Sequence, residues 1–269
     1  MDFCCPICKA ALVTGENMVK RCPSGHSFDR SRFGYYNLLV GAGAGVHGDN
    51  RDMVEARRAF LGAGYYSPLA NRLAGKASEL MPNGGAMLDL GAGEGYYTDA
   101  MARAIEGRGC SVLAFDISKD AAKHLARKNP DISAAVASSY DIPMADGLID
   151  LAVAIFAPLA REEIHRVLKQ GGRFMMVFPD ADHLFGLKCA LYETPYKNKP
   201  EPTELEGFKL LSDEPISYEI TLEGEEAISS LFMMTPYAYR TPADGRERLL
   251  SRPSLTTEVA FRILTYEKL

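Results

Sequence analysis

Short apolar segments alternate with amphipathic segments through the middle of the chain. Five apolar segments have the length of buried strands, and they run from Ala86 to Leu90, Ser111 to Phe115, Ile132 to Ala137, Ile149 to Phe156 and Arg173 to Phe178. The segments between them place apolar residues three and four positions apart, as in a helix, for example from Lys119 to Lys128. Strands separated by helices form parallel sheets, so the pattern predicts an α/β fold with a doubly wound sheet.

Further elements flank this alternation on both sides. Helical spacing extends over residues 52–61 and from Leu69 to Met81, before the first strand. After the last strand, strand-like alternation near Ile216 to Leu222 and from Thr256 to Tyr266 is separated by a predicted helix from Glu223 to Met234. These two segments bring the predicted sheet to seven strands.

The N-terminal segment is predicted to be a separate unit. Residues 41–49 are rich in glycine and lack periodicity, which is typical of a flexible linker or a mobile loop. We therefore expect a small module in residues 1–37, a linker in residues 38–52 and the sheet domain in residues 53–269.

The composition limits the classes of function that fit the chain. A chain of 269 residues, of which 47% are hydrophobic, can build one substantial core and a small extra module. No run reaches the ~18 apolar residues that a membrane span needs, and the N-terminus lacks the pattern of a signal peptide. The net charge of −5 argues against a general binder of duplex DNA. We expect a cytoplasmic protein that binds neither membranes nor DNA.

Four potential metal ligands lie within the first 26 residues. The pattern is Cys5-x2-Cys8, thirteen residues, and then Cys22-x3-His26. Three thiolates and one imidazole at this spacing can complete the tetrahedral shell of a structural zinc ion. Cys4 is an alternative to Cys5, although the two-residue gap to Cys8 favours Cys5. The pair Cys5 and Cys8 could instead be a redox site, but it follows no βαβ unit and two further ligands lie downstream.

Cations and aromatic residues are interleaved in residues 20–36. The cations are Lys20, Arg21, Arg30 and Arg32, and the aromatic residues are Phe28, Phe33, Tyr35 and Tyr36. Because cations bind phosphates and rings stack on unpaired bases, the segment predicts a surface for nucleic acid. The alternative is that the rings are the minimal core of a small zinc module and the cations are solvated.

A glycine-rich turn follows the first strand of the alternation and opens a helix. Its sequence, Gly91-Ala92-Gly93-Glu94-Gly95, allows the backbone to approach a ligand closely. Asp89 precedes the turn, and Asp116 ends the second strand, where a carboxylate can bind two ribose hydroxyls. The turn is shorter than the dinucleotide motif, and the two acids favour a ligand with a ribose and a positive charge. S-adenosylmethionine has both; the alternative is a Rossmann-like domain for another nucleotide.

The ordered motifs resemble those of the class I S-adenosylmethionine methyltransferases. The stretch Ser138-Ser139-Tyr140-Asp141 looks like that family's segment after the third strand, although members often carry Asp where Ser138 stands. The resemblance implies a Rossmann-like class I methyltransferase with a mostly parallel seven-stranded sheet. It also implies that Ser138 and Ser139 contact the adenine of the cofactor.

The chain as a whole resembles the bacterial 23S rRNA (guanine-N1)-methyltransferases, which are the RlmA-like enzymes and their tylosin-resistance relatives. The motifs are CPICKAAL, CPSGHSFD and GYYNLL in the N-terminal module, and ARRAFLGAGYYSPL, GAGEGYYT, IFAP and PDADHL in the remainder. The resemblance implies methyl transfer to N1 of a guanine in the helix-35 hairpin of 23S rRNA. It further implies an RNA-recognising zinc module and a homodimer.

The family's cofactor contacts map by motif onto Tyr66, Tyr97, Thr98 and His183. Three of these four residues also have a simpler interpretation. Tyr66 could cap the helix break near Gly64, Tyr97 could pack on the sheet, and His183 could be an ordinary loop histidine.

The acceptor chemistry points to the ends of the last two strands of the alternation. Guanine N1 carries a proton at neutral pH, so a carboxylate or imidazole within reach would help to remove it. Asp180, Asp182 and His183 are the candidates, and Asp180 and His183 are the preferred ones. Phe156 could stack on the target base or be a core residue at a strand end. The target base must be unpaired or flipped out.

Two other functions remain compatible with the sequence. One is a methyltransferase that acts on a small molecule or a protein and uses the zinc module as a lid. The other is a non-catalytic, zinc-containing RNA-binding protein. The intact glycines of the turn and Asp116 argue against the second.

Overall fold

The computed structural model describes residues 1–40, 48–199 and 202–269, and within them the strands form two sheets. The small sheet contains β1 (Val13–Thr14), β2 (Lys20–Arg21) and β3 (Ser27–Phe28). The large sheet contains β4 (Tyr36–Asn37), β5 (Ala86–Leu90), β6 (Ser111–Asp116), β7 (Ser133–Val136), β8 (Ile149–Ile155), β9 (Leu168–Pro179), β10 (Phe208–Glu223) and β11 (Ser254–Lys268).

Helices connect and cover these strands. They are α1 (Arg51–Gly62), α2 (Ser67–Leu80), α3 (Tyr96–Ala104), α4 (Lys119–Lys128), α5 (Arg161–Val167), α6 (Phe185–Leu191), α7 (Gly224–Met233) and α8 (Ala243–Leu250). Among the described residues, none of these helices combines the length and the apolar character that a bilayer crossing requires.

The large sheet has the strand order β10-β11-β9-β8-β5-β6-β7-β4. The strands from β9 to β4 are mutually parallel, while β11 runs antiparallel to both β9 and β10. The predicted α/β class, the mostly parallel sheet and its seven strands are therefore confirmed. The described part of the chain adds an eighth strand, β4, which comes from the N-terminal module.

The two faces of the sheet pack against different partners. Successive residues of a strand point to opposite faces, and β5 shows this directly. Met87 lies in a core that includes Leu69 of α2, whereas Leu88 lies in a core that includes Phe3 and Cys5 of the N-terminal module. The module thus covers one face of the sheet, where it takes part in the same core as the strands.

The end of the module is joined to the sheet edge by backbone hydrogen bonding. Tyr36 is paired with Ala135 of β7, and the Leu38 amide donates to the Val136 carbonyl at 2.9 Å. The predicted linker includes residues 41–47, which lie outside the described residues. Just beyond them, the Ser118 hydroxyl donates to the Asp49 carbonyl at 2.7 Å. The predicted boundaries at residues 37 and 53 stay predictions.

Local periodicity located most elements but missed those with weak patterns. The prediction omitted α6 and α8, which have seven and eight residues and lack a long amphipathic repeat. It also shortened β10, whose first half is largely exposed and contains Pro215. Because β10 is an edge strand of the described sheet, a proline without an amide hydrogen is tolerated there.

Candidate functional site

The four potential ligands of the zinc site come together in the N-terminal module. Cys22 follows β2 and His26 precedes β3, so the connecting turn brings them together. Sγ of Cys22 lies 3.3 Å from Nδ1 of His26 and 3.5 Å from Sγ of Cys8, and Sγ of Cys5 lies 3.5 Å from the same nitrogen. All four ligand atoms lie within 4.8 Å of one another, which suits the tetrahedral shell of zinc.

The environment of the thiols distinguishes Cys5 from Cys4. In the described residues the ligand group contains Cys5, which is fully buried, and not Cys4, whose amide donates to the Pro143 carbonyl at 2.7 Å. Hydrogen bonds to the Cys8 sulfur, above all from the Ala10 amide and also from the side chains of Ser24 and His26, lower the pKa of that thiol to about 6. A thiolate is the form that binds zinc, so this hydrogen bonding prepares Cys8 for a metal.

A cavity of about 1230 Å³ lies at the carboxyl ends of the parallel strands, where ligands of open α/β sheets bind. Residues at the carboxyl ends of β5, β6, β7, β8 and β9, or in the loops after them, line it, and segments near residues 57–66, 202–205 and 234–237 contribute to its walls. Most predicted cofactor residues face this cavity: Tyr66, Asp89, Gly91, Gly93, Tyr97, Asp116, Ser138, Ser139 and His183.

The glycine turn forms the floor of the cavity through close backbone approaches. Gly91 has φ +69°, and a Cβ atom there would lie 2.8 Å from Cβ of Ala157. Gly95 does not line the cavity; its φ is +83°, and a Cβ atom there would lie 2.7 Å from Cδ1 of Leu125 in α4. Side chains at these positions would push the turn away from its neighbours, which is why glycine is required.

Two buried carboxylates lie beside the turn. Thr98, which does not line the cavity, donates its hydroxyl to Asp89 at 2.6 Å. Burial raises the pKa of Asp89 to about 7, and the Thr98 hydrogen bond opposes this rise. Burial also raises the pKa of Asp116, although amides of Gly93 and Ser118 donate to its carboxylate at 2.9 and 2.8 Å. A cationic ligand would stabilise the ionised form of both groups.

Tyr97 has a buried hydroxyl. Its ring lines the cavity, and the buried oxygen has no hydrogen-bond partner among the described residues. Leaving such a group unsatisfied costs roughly 1–3 kcal/mol, so a polar ligand atom is expected here. Because Tyr97 lines the cavity, this orphaned hydroxyl suits a polar ligand there.

Tyr66 and His183 form a buried pair on the same wall. Oη of Tyr66 lies 3.4 Å from Nε2 of His183, and the Ala260 amide donates to Nδ1 at 3.3 Å. Because Nδ1 accepts this hydrogen bond, the network assigns the ring proton to Nε2, where it can be donated to Tyr66. Burial, assisted by the Lys188 charge, lowers the pKa of His183 to about 3.

The predicted role of His183 as a proton acceptor is not supported by this geometry. The imidazole is neutral at physiological pH, and both ring nitrogens are already engaged. His183 is instead placed to orient the Tyr66 hydroxyl at the cavity wall.

Phe156 presents an unusual backbone at the end of β8. Its φ is +55°, in the left-handed region that residues with a Cβ atom seldom adopt. Its ring is 45% exposed, lines the cavity, and lies 5.1 Å from the Phe261 ring and 6.2 Å from the Tyr97 ring. Strained backbone of this kind clusters at functional sites, and here it presents an aromatic face to the cavity.

Asp180 and Asp182 lie away from the cavity. Both line a smaller depression of about 450 Å³ beside β10. Asp180 accepts a hydrogen bond from the Ala181 amide at 2.8 Å, and Asp182 forms an ion pair with Lys197 at 2.5 Å. The loop after β9 turns these side chains outward and His183 inward, so the structure does not support the predicted catalytic role of Asp180.

Sequence reasoning missed several charged residues of the cavity. Arg57 of α1 is the only lysine or arginine among the described lining residues, and it pairs with Asp49. Glu94 is buried and accepts a hydrogen bond from Lys128 at 2.8 Å, while Glu204 is exposed and also lines the cavity. The helical periodicity of residues 52–61 placed Arg57 on the packed face of α1, and this was the one available signal.

The chain is similar to known proteins in both of its parts. A family model described as a methyltransferase domain matches residues 87–172, and a model of the RlmA N-terminal zinc ribbon matches residues 3–40. A 23S rRNA (guanine(748)-N(1))-methyltransferase of Streptomyces fradiae is 33% identical over 271 residues, which cover 96% of this chain and 95% of the relative.

Two further relatives are named as candidate 23S rRNA (guanine-N1)-methyltransferases. The protein of Micromonospora griseorubida is 36% identical over 201 residues, which cover 68% of this chain and 67% of the relative. The protein of Bacillus subtilis is 31% identical over 274 residues, which cover 97% of this chain and 95% of the relative. The similarity to the Streptomyces fradiae and Bacillus subtilis proteins includes the zinc module as well as the sheet domain.

We expect Cys22→Ala to lose the zinc ion, because three remaining ligands cannot complete the tetrahedral shell. Cys4→Ala is the matched control, since its thiol is buried nearby but lies outside the ligand group. Elemental analysis of the purified proteins should give about one zinc per chain for the parent and for Cys4→Ala. A parent without zinc, or an equal loss in both variants, would contradict the assignment.

Proposed function

Because this chain belongs to the family of 23S rRNA (guanine-N1)-methyltransferases, we propose that it methylates N1 of a guanine in the helix-35 hairpin of 23S rRNA. The chain is an S-adenosylmethionine-dependent rRNA methyltransferase, and the proposal adds that its target guanine lies in the helix-35 hairpin. The observation that carries the proposal is the similarity to the Streptomyces fradiae enzyme over the zinc ribbon and the sheet domain alike. Guanine 748, which that enzyme's name specifies, is the first candidate position.

The cavity residues fit S-adenosylmethionine, which supplies an electrophilic methyl group when bound. Asp116 would bind the ribose hydroxyls, and Ser138 and Ser139 would lie along the adenine. The orphaned hydroxyl of Tyr97 and the oriented hydroxyl of Tyr66 would bind polar atoms of the methionine end. Gly91 and Gly93 keep side chains out of the space that the cofactor needs. The residues that contact the cofactor would in turn be supported by Gly95, Thr98, Asp89 and His183.

Arg57 supplies the missing charge for the methionine carboxylate. The cavity contains four engaged carboxylates, which suit the sulfonium and ammonium groups but repel a carboxylate. Arg57 is the one strong cation among the described lining residues, and a guanidinium binds carboxylates through two parallel hydrogen bonds. In the absence of ligand its charge is balanced by Asp49.

Phe156 and its neighbours form the surface proposed for the acceptor base. Phe156, Pro158 and Leu159 line the cavity next to the Tyr97 ring, and their apolar faces exclude water from the reacting atoms. Aromatic stacking on one face of guanine would hold the base without hydrogen bonds to its Watson–Crick edge. N1 would then be free to face the methyl group. Such access requires an unpaired or flipped nucleotide.

The remaining assignments complete the proposal. We propose that residues 1–37 form the RNA-recognition module, residues 38–52 the linker and residues 53–269 the methyltransferase domain. The zinc-ribbon and methyltransferase matches to residues 3–40 and 87–172 support this division. A cytoplasmic location suits an enzyme of ribosomal RNA, and the homodimer and the link to tylosin resistance are carried over from the family resemblance.

We expect the parent protein to transfer a labelled methyl group from S-adenosylmethionine to the isolated helix-35 hairpin. Methylation of guanine N1 blocks Watson–Crick pairing, so reverse transcription should stop next to one guanine. The control is a hairpin in which that guanine is replaced by adenine, and it should remain unlabelled. Methylation of other 23S fragments but not of the hairpin would refute the hairpin assignment. Labelling of small molecules or proteins but no RNA would refute the proposed substrate class.

We expect Arg57→Gln to weaken binding of S-adenosylhomocysteine by roughly 10- to 100-fold, the scale of a hydrogen bond to a charged group. Binding of 5′-methylthioadenosine, which lacks the amino-acid end, should be unchanged. Calorimetry with both ligands separates loss of the carboxylate contact from general damage to the cavity. The control is Arg58→Gln, since Arg58 pairs with Glu55 outside the cavity. Equal weakening of both ligands would show that Arg57 does not hold the carboxylate.

A further inference from the structure

Three cations converge on one aromatic ring where the N-terminal module contacts α4. The Phe33 ring centroid lies 4.7 Å from Cζ of Arg32, 5.1 Å from Nζ of Lys123 and 4.5 Å from Cζ of Arg127. We call these four residues the Phe33 patch. Arg32 and Phe33 belong to the module, whereas Lys123 and Arg127 belong to α4 and are four residues apart, on one side of the helix.

The three cations of the Phe33 patch bring like charges close together. None of its three cations forms an ion pair among the described residues, although the chain has a net charge of −5. The charges lie within about 10 Å of one another, the screening length at 0.1 M salt, so they repel. Cation–π attraction returns only about 0.5–1 kcal/mol for each exposed cation. A bound polyanion would relieve this repulsion.

Helix α4 connects the Phe33 patch to the wall of the cofactor cavity. Lys128, the next residue along α4, donates to Glu94 at 2.8 Å and lies 5.6 Å from the Tyr96 ring centroid. Glu94 and Tyr96 both line the cavity. The same helix thus carries two cations of the Phe33 patch and a lysine that contacts the cavity wall.

We propose that the Phe33 patch binds the phosphate backbone of the RNA substrate, so that α4 of the methyltransferase domain shares the RNA surface with the zinc module. The proposal rests on the proposed function for the identity of the RNA. RNA fits better than an acidic peptide because the relatives of this chain are named for an rRNA substrate, and phosphate contacts set the register of a bound strand.

The test uses the full chain with Lys123→Ala and Arg127→Ala combined. Each lost phosphate contact lowers the slope of log Kd against log salt by roughly 0.7–0.9, so the slope should fall by about 1.5. Affinity for the hairpin RNA at 0.1 M salt should fall about tenfold or more. The control combines Arg246→Ala and Arg252→Ala, which remove two exposed cations at α8. Binding of S-adenosylhomocysteine should be unchanged in both double variants.

The outcomes separate this proposal from the proposed function. If the parent methylates the hairpin but the α4 variant binds RNA with the affinity and salt slope of the control, the Phe33 patch does not bind the substrate. If Arg127→Lys retains the salt slope that Arg127→Ala loses, the contact is one of charge, as expected for phosphate. A parent that neither binds nor methylates the hairpin refutes the hairpin assignment instead.

A second, independent observation concerns the carboxylates of the cavity. Five of them line it in the described residues, and four are engaged: Asp49 with Arg57, Asp89 with Thr98, Glu94 with Lys128, and Asp116 with backbone amides. Glu204 has neither an ion pair nor a hydrogen bond of its side chain among the described residues.

The backbone on both sides of Glu204 is held in place. The Tyr266 hydroxyl donates to the Thr203 carbonyl at 3.0 Å, and Leu205 packs against the core that also contacts Ala157. Glu204 is therefore an exposed carboxylate on a fixed backbone, and it lines the same cavity as Phe156, Pro158 and Leu159. His183, the other titratable candidate, is neutral and has both nitrogens engaged.

We infer that Glu204 accepts the proton of guanine N1, an inference that rests on the proposed function. The N1 proton moves to the Glu204 carboxylate, and the N1 electron pair forms the bond to the methyl carbon. The electron pair of the methyl carbon–sulfur bond of S-adenosylmethionine would stay with the sulfur, so that the sulfonium would become the neutral thioether of S-adenosylhomocysteine. No other reactant is needed.

The test compares Glu204→Gln with Glu206→Gln in methylation of the hairpin. Glu206 pairs with Arg161, so its replacement removes the same charge two residues away without affecting the cavity lining. Glu204→Gln should lower kcat by roughly 10²- to 10⁴-fold, the range for a general base. Affinities for RNA and S-adenosylhomocysteine should remain those of the parent. The acidic limb of the pH profile of kcat should disappear in Glu204→Gln alone.

Two results would overturn this assignment. One is a kcat for Glu204→Gln within a few-fold of that for Glu206→Gln while the parent is active. The other is an unchanged acidic limb in Glu204→Gln. If the parent itself leaves the hairpin unmethylated, the proposed function fails and not the choice of base.

Discussion

The close approach of backbone at the glycine turn is the constraint on which the cavity depends. At Gly91 the turn lies against Ala157 at the end of β8, and at Gly95 it lies against Leu125 of α4. Both glycines have positive φ, and a Cβ atom at either would come closer than 3 Å to its neighbour. These approaches hold Asp89, Asp116 and the Phe156 ring around one cavity, while α4 packs behind the turn. A single bulky side chain in the turn would separate groups that belong to different strands.

The zinc module is integrated with the methyltransferase sheet. Phe3, Leu12 and Phe28 lie in the same buried cluster as Leu88 and Phe174 of the sheet. A module of this size cannot bury enough apolar surface to fold by its core alone, so the metal and the shared core both stabilise it. This docking also fixes Phe33 next to α4. The metal can therefore act on RNA binding through position, without any contact between zinc and RNA.

Opposite charges are separated between the cavity and the outer surface. Buried carboxylates such as Asp89, whose pKa is raised to about 7, suit a cationic cofactor because its charge offsets their desolvation. The cations of the Phe33 patch, which form no ion pair within the described part of the chain, lie outside, where phosphates can reach them. A net charge of −5 therefore does not exclude an RNA substrate, since the field that matters is local. Lys128 bonded to Glu94 marks the boundary between the two regions.

The sequence alone determined the features that are local or periodic. Cysteine spacing defined the metal group, the alternation of apolar segments defined the sheet, and the glycine turn with Asp89 and Asp116 indicated the cofactor. Only the tertiary structure decided the rest. It turned Asp180 outward, engaged both nitrogens of His183, and brought Arg57 and Glu204 to one cavity. Arg57 and Glu204 are 147 positions apart, and no helical or strand periodicity relates residues at that separation. Their proximity follows from the packing of helices and loops against the sheet.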